Sequence, residues 1–459
     1  MEEPLPENKT PESLTNYYYS RGKAATHLGR SGQALQDLRL ALDYSNKTTG
    51  RNDQLLQRVG IAELSFGNYK RAIELFEQTL NWKGSLVSYD LLVKIHARLG
   101  DLETAQNYMF KGIARCNELR QRHNSGPWPD ISANRMRAYV LEAQGRFAEA
   151  EIHQNRILKN NTTSFKHFKR KQPLIDLAAN QSLIGYLKNQ NRLTEAELVA
   201  RKNLLEMLSL SGNDSAYSGH SISDLADTLF RQGRLDDAEK LLRIAVRTLE
   251  KAGVSAESYM MIETMIRLGE VLAAKSEFDR AAAHFDLVQS RMKENRFLYE
   301  KYFKRNFAIM NTLLQTGRLD EATQQIETVY AKNSSTYGGE HYLTKEIQGL
   351  RGMALALQNR NREAFADFSM AMPILLEKSS ADNLDYNKHN QLKIIIESYM
   401  KLLAKWAEEG GGQDFEIDPA AEIFRLADAI SGRSVRSAII ASSARVAAHD
   451  PELSDLIRK

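Results

Sequence analysis

Apolar residues return at helical spacing along most of the chain, and the pattern itself repeats at a longer period. Leu229-Phe-Arg-Gln-Gly-Arg-Leu-Asp-Asp-Ala238 parallels Leu313-Leu-Gln-Thr-Gly-Arg-Leu-Asp-Glu-Ala322. Leu141-Glu-Ala-Gln-Gly-Arg-Phe-Ala-Glu-Ala150 and Leu272-Ala-Ala-Lys-Ser-Glu-Phe-Asp-Arg-Ala281 follow the same order. Each has an apolar residue, a Gly or small polar turn, an apolar residue two places on, and an alanine three later. The alanines recur at Ala34, Ala72, Ala105, Ala150, Ala196, Ala238, Ala281, Ala322 and Ala364, with neighbours 33 to 46 residues apart and a degenerate tenth expected near Ala421.

Each element has a physical reason. The turn residues (Gly29, Gly67, Gly100, Gly145, Asn191, Gly233, Ser276, Gly317, Asn359) close a first helix where positive φ is needed. Asp101, Thr194, Asp236, Asp279 and Asp320 are expected to cap the second helix. The alanine permits two helices to cross closely, and Phe76, Leu242 with Ala245, and Phe285 with Val288 continue the buried face four and seven places later. No proline falls between Pro173 and Pro373, as a succession of helices requires.

These features resemble the tetratricopeptide repeat (TPR) family. Gly22, Gly60, Gly269 and Gly352 match the small residue of its first helix, and the alanines match that of the second. The long period, with Tyr337-Gly-Gly-Glu-His341 as an inter-repeat loop, is similar to the variety found in kinesin light chains. The resemblance implies an all-α fold, a TPR-type α-solenoid forming a right-handed superhelix of about nine to ten repeats. The expected organisation is a disordered tail over 1–16, the solenoid over 17–408, a Gly/acidic linker over 409–418 and a helical segment over 419–459.

That last segment carries a second resemblance. Phe424-Arg-Leu-Ala-Asp-Ala-Ile-Ser-Gly-Arg-Ser-Val435, followed by Asp450-Pro451, looks like the connector between TPR arrays and the caspase-like CHAT peptidase domain of bacterial proteins. Phe424, Leu426, Ala427, Gly432, Arg433, Asp450 and Pro451 match it, whereas Asp428 replaces the usual glutamate and Ile430-Ser431 the usual Ala-Arg. The resemblance implies a peptidase domain after this point, absent from the sequence. The apolar stretch Ala438–Ala448 suggests a surface awaiting a partner domain.

Composition narrows the function. The 459 residues carry 62 basic and 58 acidic side chains, a mixed surface instead of a chain-wide nucleic-acid binder. The acidic, proline-broken start and the lack of an 18-residue apolar run lead to the expectation of a cytoplasmic protein without membrane contact. The single cysteine, Cys116, is expected to be a small structural residue late in a second helix. The ten histidines show neither zinc nor HExxH spacing; His220 and His341 are expected in loop or capping roles. No catalytic constellation, metal site or cofactor is expected.

Two partner surfaces remain. First helices of TPR arrays line a groove for extended or helical peptides. By register its candidates are Arg135, Tyr139, Gln181, Lys188, Asn189, Asp227, Arg231, Arg267, Glu270, Lys304, Asn311 and Gln315, without a complete carboxylate clamp. A basic patch, Lys166, Lys169, Arg170 and Lys171 beside Phe165 and Phe168, could hold a protein or, as an alternative, RNA. The favoured reading is a non-catalytic protein- or peptide-binding scaffold regulating a caspase-like domain; a free-standing adaptor is the alternative.

Overall fold

The computed structural model describes residues 5–27, 30–48, 52–82, 85–121, 126–164, 173–292, 298–381, 384–408 and 417–430. Among them no strand occurs. Helices come as consecutive hairpins. Hairpins one to five are Pro11–His27 with Ser31–Ser45, Asp53–Ser65 with Tyr69–Gln78, Leu86–Leu99 with Leu102–Arg120, Trp128–Ala143 with Phe147–Ser164, and Pro173–Asn189 with Leu193–Ser211. Hairpins six to nine are Ala216–Arg231 with Leu235–Lys251, Tyr259–Ala274 with Phe278–Arg291, Phe307–Gln315 with Leu319–Tyr337, and Tyr342–Leu357 with Asn361–Ala381. Tyr386–Glu408 and a helix over 419–430 follow. The chain divides into two compact units, residues 1–228 with 240–264, and residues 229–239 with 265–459.

Within the hairpins the register is kept closely. All nine alanines are buried, none more than 4% exposed. Of the turn residues, Gly67, Gly100, Gly145, Asn191, Gly233, Ser276, Gly317 and Asn359 all have φ between 55° and 81°; Gly29 lies outside the described residues. The next residue's N–H then bonds five residues back, as in Arg192 to the Leu187 carbonyl at 2.9 Å and Arg318 to Leu313 at 2.9 Å. This closes the first helix in a Schellman motif and lets the chain reverse directly into the second.

Helix crossings are tight where a glycine faces a ring. A Cβ on Gly60 would stand 2.7 Å from Phe76, and one on Gly269 would stand 2.3 Å from Phe285. Adjacent hairpins are tied by a repeated polar bond, from the residue before the turn to the residue after the preceding alanine. Gln190 donates to Glu151 at 2.9 Å, Lys275 to Glu239 at 2.7 Å, and Gln358 to Thr323 at 2.9 Å.

Several expectations need correcting. The first helix starts at Pro11, inside the segment expected as tail, because Thr10 receives the Ser13 N–H at 3.4 Å and proline suits the first helical position. Among the five expected caps, Asp101 accepts the Thr104 N–H at 3.2 Å, whereas Thr194, Asp236, Asp279 and Asp320 already lie in the first helical turn. In three of these an arginine immediately precedes the helix and pairs with a carboxylate three residues on, as in Arg192 with Glu195 and Arg318 with Glu321, both at 2.6 Å; Glu277 precedes the helix of Asp279. Ala421 is exposed; Leu426 takes the buried place on that helix. The first helix of hairpin eight is broken by a π-turn at Tyr299–Phe303, after which Asn306 caps a new start by accepting the Ala308 N–H at 2.9 Å.

Candidate partner-binding face

Residues ten, six and two places before the turn share one side of each first helix, being four apart. In hairpin three these are Asp90, Lys94 and Arg98; in hairpin four Arg135 and Tyr139 hold the first two places. Equivalent positions meet across the hairpins. Arg135 Nη1 donates to Asp90 Oδ2 at 3.1 Å, and the same oxygen accepts Ser132 Oγ at 3.0 Å. One turn along, the Lys94 ammonium lies 5.5 Å from the centre of the Tyr139 ring.

The electrostatics of this ladder are unusual. Burial pushes the Asp90 carboxyl up to about 6, although Arg135 and Ser132 pull the other way. The charge of Arg98, aided by burial, lowers Lys94 to about 7, with Glu142 and Glu263 opposing. Burial raises the Tyr139 hydroxyl to about 12. Arg135 resists burial because Asp90 holds its charge, and its pKa is raised. In the same unit Arg98 also lies 5.6 Å from the ring of Tyr259, at the start of hairpin seven.

The remaining candidates divide. Gln181 is half-buried and Asn189 exposed. Lys188 and Asp227, expected to be open to a ligand, are 7% and 8% exposed and paired with each other, since neither charge could be buried alone. Asn311 is likewise buried, at 2%, and accepts from Gln315 at 3.3 Å; Gln315 is exposed. Arg231 donates to Asp385 at 3.0 Å, Arg267 is half-buried, and Glu270 accepts from Asn306 at 2.6 Å. Lys304 sits at the break before hairpin eight, bonded to Glu300 at 3.3 Å, off the regular first helix.

Asp90, Lys94, Arg98 and Tyr259 escaped the sequence reading. Counting back from Gly100 as from Gly145 finds the first three, because the register is the same. Nothing local announces Tyr259. Other residues fall elsewhere. Cys116 is buried, and burial pushes its thiol up to about 12. His341 caps its helix by accepting the Leu343 N–H at 3.2 Å, but His220 lies inside a helix, 3.8 Å from Asp224. Phe424 is 78% exposed beside buried Leu426. Arg433 and the basic patch of Lys166, Lys169, Arg170 and Lys171 lie outside the described residues. Among the described residues no cluster suits a metal ion, and no helix is long and apolar enough to cross a membrane.

Comparison with known families adds a match of residues 219–252 to the tetratricopeptide repeat model. The chain folds as a TPR-type α-solenoid. A search of curated proteins gives no match. Among solved structures, the chain is similar to BtubC from P. vanneervenii, at 17% identity over 50% of this chain and 91% of that one, TM-score 0.37. It is also similar to a signal-transduction ATPase with a tetratricopeptide repeat sensor from Pyrococcus horikoshii, at 11% identity over 84% and 56%, TM-score 0.46. A Rap protein complexed with competence and sporulation factor shares 11% identity over 82% and 99%, TM-score 0.46.

Proposed function

We propose that this TPR array is a non-catalytic scaffold that receives a protein or peptide on the inner side of its first helices. The observation carrying this reading is the polar ladder of hairpins three and four. Charged and aromatic groups there occupy the side of the helix that repeats in register, while the alanine side is packed and apolar. Such a surface suits a segment with alternating polar and apolar side chains better than it suits chemistry, since it holds no nucleophile paired with a base.

The reading extends to the C-terminal end. In a longer parent, the helix at 419–430 would join the array to a caspase-like domain, and occupancy of the array would bias that domain. Exposed Phe424 beside anchored Leu426 supports this, because it offers an apolar contact from a fixed base. A reading frame continuing past Lys459 without a His/Cys dyad would remove the peptidase part alone.

Photo-crosslinking in the native host tests the scaffold. A benzophenone residue placed at Gln181 or Tyr139 should yield discrete protein adducts, and one at Phe110 or Leu205, both exposed, should not. Adducts confined to Phe110 and Leu205 would place the partner on the other side.

A further inference from the structure

Lys94 is half-buried, yet makes no hydrogen bond or ion pair among the described residues; its near neighbour is the Tyr139 ring at 5.5 Å. Arg98 follows one turn later on its own helix, Arg135 and Tyr139 belong to hairpin four, and the charges of Glu142 and Glu263 also reach Lys94. Lys188, three places before the turn of hairpin five, is by contrast closed onto Asp227.

Arg135 is also incompletely used. Arg21, Arg39 and Arg351 each fork both oxygens of a buried carboxylate at 2.6–2.8 Å. Arg135 touches Asp90 through one nitrogen at 3.1 Å, and Asp90 Oδ1 is buried without a partner. Donors of the Arg135 guanidinium are therefore open beside an unpaired ammonium. The charges of Arg98 and Arg135 weaken the hold of Lys94 on its proton, and an entering anion would strengthen it.

We propose that Lys94, Arg98 and Arg135 form an anion subsite that takes one carboxylate of a bound peptide, with the Tyr139 and Tyr259 rings as its walls. This rests on the partner-binding reading above. A single negative charge fits, because Asp90, Glu142 and Glu263 already surround the three cations and would repel a dianion. The subsite also makes binding depend on pH. In the free protein Lys94 loses its proton near pH 7, and an entering carboxylate restores it. Affinity must therefore fall as pH rises above 7, by at most about tenfold per unit, with one proton taken up on binding.

The experiment uses the full chain and two labelled nonapeptide pools free of other acids, one with a central glutamate and one with glutamine, read by fluorescence polarisation at pH 6.5 and 8.5. The glutamate pool should bind about tenfold or more tightly than the glutamine pool at pH 6.5, the range of a charge-assisted hydrogen bond, with a smaller advantage at pH 8.5. Lys94→Met should abolish the advantage. Lys94→Arg should restore it without the pH dependence, since a guanidinium does not titrate here. Circular dichroism and the unfolding midpoint confirm that both variants fold.

Equal binding of the two pools, unaffected by Lys94→Met, would overturn the subsite and leave the scaffold reading standing. Acetylation of Lys94 read by mass spectrometry separates the other cases. Protection by acetate, with neither pool bound, would keep the anion site and remove the peptide reading. No binding and no protection would remove both.

Discussion

At the residue scale the array depends on what each position will not tolerate. Gly269 faces Phe285 so closely that Gly269→Ala should destabilise by about 1–3 kcal/mol through overpacking. Gly185, inside a helix with nothing within 4 Å of its missing Cβ, should respond oppositely: Gly185→Ala should stabilise by about 0.5–1 kcal/mol. Chemical denaturation of the two variants reads both signs. Ser276 holds φ at 61° without being glycine, so Ser276→Gly should raise the unfolding midpoint by relieving that conformation. Positions of this kind were legible in sequence, because a required small residue or left-handed turn restricts the alphabet. Lys188 and Asp227 were misplaced for the opposite reason: a charge looks solvent-facing until its partner, on another helix, is known.

At the element scale the hairpins share a closing device and differ in how the second helix begins. Aspartate caps were expected, but an arginine before the helix, clasping a carboxylate in the first turn, serves hairpins five and eight. The aspartates that misled the reading still suit the helix dipole from the second position. The pair Arg318–Glu321 is largely exposed, so Arg318→Ala should cost at most about 1 kcal/mol. Arg351 forks Asp367, which is 6% exposed, and Arg351→Ala should cost about 3–5 kcal/mol by stranding that carboxylate. Both are read by denaturant midpoints. Burial lifts the Asp90 carboxyl in the folded protein to about 6, above its ordinary 3.8, so the folded protein binds the extra proton. Stability must then fall as pH rises from 4 to 6, and Asp90→Asn should flatten that fall in pH-dependent thermal melts.

At the scale of the whole molecule, both units carry the same alanine register and the same turn geometry, so fold class could be read before coordinates. Contacts between distant repeats could not. Arg98 meets Tyr259 in one unit, and Arg231 meets Asp385 in the other, where Phe230 also stands edge-on to Tyr386 at 6.4 Å. Such meetings join residues far apart in sequence, which no local pattern encodes. They bring side chains of non-adjacent repeats together, and the proposed function places a partner beside them, on the side of the first helices that carries Asp90, Lys94 and Arg98. The central claim is that this side is the working surface. Hydroxyl-radical footprinting of the chain with and without its captured partner tests it most directly. Tyr139 and Tyr259 should become protected while Phe110 is unchanged; protection at Phe110 with both tyrosines unaffected would contradict the account.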